Sequence, residues 1–125
     1  MALFGLIKDD KYYVKISINT IEVIDVVSGR SIKEMSNVPF SNERLLFAEF
    51  DIAEVFIKRL VVKLNGKLRT SFFLVHPVEL NEGGVSSTEK RIFEESFERA
   101  NGRLVVIWEG KELSNKEVLS EFERY

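Results

Sequence analysis

Three groups of residues have types and spacing that could do chemistry. His76 is the single histidine of the chain and stands before Pro77 at the end of an apolar run. Glu79 and Glu82 follow it in the next loop. A histidine near two carboxylates could serve a cation site, or the acid–base work of a nucleotide hydrolase or phosphoesterase. Such sites usually need a second imidazole or a convergent carboxylate, and a structural histidine beside solvated carboxylates gives the same pattern. The second group is "NEGG", Asn81 to Gly84. Its two glycines precede a helix N-terminus, where anions bind. The glycine fingerprints of the P-loop and of the dinucleotide fold are both lacking, and the upstream acids repel phosphate, so a flexible loop is expected. The third group is "ISINT", Ile16 to Thr20, which reads as strand, tight turn, strand. Nucleotide-binding domains often place a phosphate-gripping turn between their first two strands.

The elements that must position these residues follow from periodicity. Val14, Ile16 and Ile18 alternate with Lys15 and Ser17, the period of a strand. Ile21 to Val27 is apolar and β-branched, Ser28-Gly29 turns the chain, and Arg30 to Met35 reads as a third, more exposed strand. Asn37 to Arg44, with Pro39, reads as a connection. The period then changes: Ala53, Phe56, Ile57, Leu60 and Leu64 share one helical face. Asp51 is the expected N-cap, and Asn65-Gly66 the stop. Phe72 to Val75 is continuously apolar, as in a strand buried on both faces. Ser86 and Glu89 form a capping box that opens a helix to about Ala100, with Ile92, Phe93, Phe97 and Ala100 inward. Arg103 to Trp108 reads as another buried strand. Ser114 and Glu117 form a second capping box, opening a short helix with Val118, Leu119 and Phe122 on one side. The order β-β-β-α-β-α-β-α implies an α/β fold with a mixed sheet and flanking helices.

Composition narrows the function classes. The chain has 125 residues, 45% hydrophobic and 30% charged, which fits a single domain, residues 1–125, with a real core. The net charge is −2, which favours neither nucleic acid nor an anionic membrane as partner. Without cysteine there is no disulfide, thiol or cysteine-zinc chemistry. The opening "MALFGLIKDDK" is too short and too weakly apolar for a signal peptide. No apolar run approaches the ~18 residues of a membrane span, so a cytoplasmic location is expected. The element order is also that of ribonuclease H-like nucleases, whose two-metal chemistry needs a carboxylate near the centre of the first strand. Ser17 stands there, preceded by Lys15, which argues against nuclease activity.

Three stretches, in order, resemble the N-terminal lobe of the bacterial actin-like rod-shape family, MreB. The strongest is Ser86 to Glu109, "SSTEKRIFEESFERANGRLVVIWE". It is similar to the family's T-x-x-E-R-R helix, its A-G-A-R link and its strand ending L-I-E-E-P. Ser86 takes the place of the threonine, and Glu89, Lys90 and Arg91 stand at E-R-R. Glu95, Ser96, Ala100, Arg103, Val105, Ile107 and Glu109 then align without a gap. Pro77 resembles the proline of the V-P-x-G turn. "FAEFDIAEVFIKR" is similar to I-A-D-F and the helix after it, with Ala48, Glu49 and Phe50 matching. "ISINT" resembles the first phosphate loop, I-D-x-G-T.

The resemblance spans about Tyr13 to Glu109 and implies a ribonuclease H-like, actin-like lobe of three layers with a five-stranded sheet. It also implies what has changed. The family aspartate that helps hold the nucleotide's metal is Ser17 here, and the glycine that lets backbone approach phosphate is Asn19. Thr20 alone is retained. The second phosphate loop and second lobe have no counterpart in these residues. The expectation is a lobe without catalytic residues, bound cofactor or metal, a pseudo-ATPase acting through protein partners or self-association in cytoskeletal or cell-shape assembly. A subunit completed by a second chain, and a minor hydrolase, are the alternatives.

Overall fold

The computed structural model describes residues 9–80 and 82–125. Residues 1–8 of the N-terminal stretch weighed as a signal peptide, and Asn81 of the "NEGG" loop, lie outside the described residues. The expected order holds among those described: β1 (Asp10–Ser17), β2 (Thr20–Asp25), β3 (Ser31–Met35), α1 (Phe50–Asn65), β4 (Ser71–Pro77), α2 (Ser87–Arg99), β5 (Gly102–Ile107) and α3 (Asn115–Phe122). The strands form one mixed sheet in the order β3-β2-β1-β4-β5. The meander β1-β2-β3 is antiparallel, while β1, β4 and β5 run parallel. Helices must therefore cross over between the parallel strands.

Strand alternation sends residues to two cores. Tyr12, Val14, Ile16, Ile21, Val23, Phe73 and Val75 face α1 and α2. Tyr13, Leu74 and Val106 face α3. Both capping boxes form as expected: Ser86 with Glu89, and Ser114 with Glu117. Gly66 closes α1 with left-handed backbone, φ 77°. Its predecessor Asn65 also donates to the Tyr12 hydroxyl at 2.6 Å and to Asp25 at 3.2 Å, tying the helix end to the meander.

Two expectations are corrected. The N-cap of α1 is Glu49, without a side-chain cap, and Asp51 lies in the first turn. The start is set by the preceding connection, where the Glu49 N–H donates to the Phe40 carbonyl at 2.9 Å. Second, β5 is an edge strand in which only Val106 is fully buried. Among the described residues it pairs with β4 alone. The connection expected over Asn37 to Arg44 holds, and the chain before α1 also adds to the core: Phe40, Leu46 and Phe47 are buried, with the two phenylalanine rings edge to face at 5.5 Å.

Candidate functional site

The β1–β2 turn is the site with the clearest chemical precedent, and its hydrogen bonds go to its own chain. Asn19 has left-handed backbone, φ 52°, which a tight turn needs and asparagine tolerates. Its side-chain oxygen accepts from the Phe40 and Ser41 amides at 2.9 and 2.8 Å. Its N–H donates to the Ser41 hydroxyl at 2.9 Å, and that hydroxyl donates onward to the Leu46 carbonyl at 2.6 Å. The Ile18 N–H donates to the Glu79 carboxylate at 2.9 Å. The Thr20 hydroxyl donates to the Ile18 carbonyl at 3.0 Å. A phosphate would need these amides. A carboxylate from the loop after β4 and a serine from the connection occupy them instead.

His76 is placed elsewhere. Alternation along β4 turns it, with Phe72 and Leu74, toward the α3 face. It is 4% exposed. Its Nε2 lies 3.1 Å from the Gly110 carbonyl, which can only accept, so this nitrogen carries the proton. Its Nδ1 therefore accepts from the Tyr13 hydroxyl at 2.7 Å, which accepts in turn from the Leu113 N–H at 3.1 Å. Each polar group of this chain is satisfied with a neutral imidazole. Burial holds the His76 pKa below its ordinary value, and the nearby Lys15 charge acts in the same direction. Burial likewise raises the Tyr13 pKa.

The structure gives the three acid–base candidates different partners. His76 is bonded to Tyr13 and Gly110, Glu79 to the β1–β2 turn, and Glu82 lies exposed in its loop. Among the described residues, no three carboxylates or imidazoles are grouped as metal ligands. Ser17 is half-buried at the end of β1, on the α3 face by alternation. Lys15, two residues before it, pairs with Glu112 and lies 4.0 Å from Glu22. Beyond His76 these charges border a shallow recess of about 420 Å³, lined also by Lys33, Val78 and Gly110.

Sequence reasoning missed Ser41 as a partner of the turn. A serine in an aperiodic connection carries no signal of a contact 22 residues away. It also left Glu109 without a role. Its carboxylate accepts from the Val85 N–H at 2.8 Å and pairs with Lys90 at 3.1 Å, clamping the glycine loop to the end of β5. Those two contacts, the Val85 amide foremost, hold the Glu109 pKa below the usual carboxylate value.

Comparison with known proteins adds a relative and a fold. YjaA of Escherichia coli strain K12, an uncharacterized protein, is 37% identical over 91 residues, covering 66% of this chain and 70% of YjaA. The chain belongs to the YjaA family. No protein-family model matches it. Among solved structures, the ethanolamine utilization protein EutJ from Carboxydothermus hydrogenoformans superposes with a TM-score of 0.50 at 14% identity. The match covers 81% of this chain and 37% of EutJ. This YjaA-family chain thus has the α/β, ribonuclease H-like fold of actin-like proteins and spans little more than a third of the EutJ chain. Among the described residues no helix is long and apolar enough to cross a membrane.

Proposed function

We propose that the chain is a non-catalytic actin-like lobe that works by binding protein. The observation that carries this reading is the occupied turn. The Ile18 and Asn19 amides, at the position of a phosphate loop, are bonded to Glu79 and Ser41. A carboxylate at 2.9 Å from the Ile18 amide excludes a phosphate there by charge as well as by space. Ser17 supplies a hydroxyl where metal-assisted phosphoryl chemistry would need a charged ligand. What is left for function is surface. The finer likeness to the rod-shape actin-like family makes cell-shape or envelope assembly the proposed setting, in the cytoplasm.

Two measurements test the reading. Titration with Mg-ATP in a calorimeter, and a phosphate-release assay, are expected to give neither heat nor turnover; saturable heat would overturn the pseudo-ATPase reading. Affinity capture with the chain as bait is expected to retain a protein partner, this chain included. A second reading is favoured by the 37% coverage of EutJ: a lobe completed by another chain. It expects aggregation on expression alone that co-expression with the missing lobe relieves.

A further inference from the structure

Along α1, Asp51, Val55 and Arg59 recur every four residues, so they lie in one row on the helix. All three are exposed, Val55 to 57%. Beside the row, Val38 of the preceding connection is 56% exposed. Together with Ile52 and Phe56 these residues line an apolar groove of about 350 Å³. The charges at its two ends are free. Neither the Asp51 carboxylate nor the Arg59 guanidinium has an ion-pair or hydrogen-bond partner among the described residues. Their neighbours on the same helix are engaged: Glu54 with Lys58 and Arg99, and Lys63 with Glu34.

An acid, an apolar residue and a base at equal spacing form a self-complementary row. A two-fold axis through Val55, with the helices antiparallel, sets Val55 on Val55 of the second copy. It also sets Asp51 against Arg59 of the second copy, once on each side of the axis. The exposed valines then gain an apolar cover, and both free charges gain a partner. The β3 edge of the sheet offers no comparable match. Antiparallel self-pairing centred on β3 would oppose Lys33 to its own copy, and an edge lysine is a common guard against such pairing.

We propose that this face of α1 is a homodimer contact, with the helix packed antiparallel on α1 of a second copy. The inference rests on the binding-module reading and names its partner. One helix row and one loop are narrow against the about 800 Å² per partner of a standard interface, so the dimer is reversible and concentration-dependent.

The test is sedimentation velocity over a dilution series, with melting curves to confirm that each variant is folded. The wild-type chain is expected to shift from monomer to dimer with concentration. Val55→Asp abolishes the shift. Asp51→Arg and Arg59→Asp each weaken it about tenfold, since each replaces two attractions by two repulsions. An equimolar mixture of those two variants is expected to associate again, because each supplies the charge that the other needs. A wild-type chain that stays monomeric, a Val55→Asp variant that associates like wild type, or a mixture that stays dissociated overturns the homodimer. If the chain is monomeric while wild-type bait captures another protein, the dimer fails and the binding-module reading stands. If the chain is monomeric and captures nothing, both fail.

Discussion

On the face covered by α1 and α2, nineteen described residues form one buried cluster, whereas the cluster under α3 has seven. The larger one is built on aromatic packing. Phe97 lies 5.0 Å from Phe73 and 6.3 Å from Phe47, and Phe47 lies 4.9 Å from Phe93. The smaller one is crossed by the hydrogen-bonded chain from Leu113 through Tyr13 and His76 to Gly110. An eight-residue helix buries little apolar area, and area sets the hydrophobic gain. On that face directed bonds supplement packing and hold the segment leading into α3 against the sheet. The difference teaches where each face is vulnerable: one to lost volume, the other to a lost or added proton.

The largest expected effect tests the packed face. Phe97→Ala removes a fully buried ring from between α2 and the sheet and should cost about 3–5 kcal/mol, read from urea unfolding. Natural domains have about 5–15 kcal/mol in total, so the variant sits near the edge of folding. Tyr13→Phe tests the bonded face. It keeps the ring, stacked 5.9 Å from His76, but removes the hydroxyl that accepts from Leu113 and donates to His76. The cost of leaving those buried groups unpaired is about 1–3 kcal/mol. A loss no larger than that of an exposed substitution would mean that the α3 face is held by packing after all.

A smaller, reversible effect comes from acid. The folded state holds His76 below its ordinary pKa of 6.5, so the unfolded chain takes up the proton first. The sign follows from linkage. The contribution of His76 is complete above pH 6.5, falls as the pH drops through that value, and stops falling below the depressed folded pKa. Protonation places a second N–H against the Tyr13 hydroxyl and breaks the donor order of the chain. Urea midpoints should therefore decline between neutral pH and the folded pKa, and His76→Gln should flatten that part of the profile. A wild-type profile as flat as the variant's would remove the proton-sensitive side of the comparison.

How much of this was legible in the sequence depends on how local the cause is. Both capping boxes, the alternation of β1 and the left-handed Asn19 could be read because each rests on residues within a few positions. The helix start was misplaced at Asp51 because the Glu49 amide is anchored to Phe40, a contact with no periodic mark. The strand Arg103–Trp108 looked buried because its residues are apolar. Its place at the sheet edge is set by pairing order, which no local pattern encodes. The candidate site divides the same way. The turn position could be read from Ile16 to Thr20, whereas its occupant, Glu79, lies 61 residues from Ile18.

The smallest expected effect concerns that occupant, which joins β4 to the turn at the end of β1, where the two faces meet. Glu79→Ala removes one acceptor from an exposed amide, and water can replace it, so the cost should be about 1 kcal/mol or less. Amide exchange is the sharper readout. Ile18 should exchange faster, while amides under α3 and in the α1–α2 core keep their protection. If protection drops on either face, the turn is part of that face's stability and not a separate clasp. The same variant bears on the lost ligand. With the carboxylate gone, the Ile18 amide is free, but the Asn19 amide remains with Ser41 and its side chain remains with Phe40 and Ser41. One free amide cannot cradle a phosphate, so Mg-ATP and inorganic phosphate should still give no heat. Saturable heat in Glu79→Ala alone would mean that Glu79 blocks a phosphate site still present beneath it.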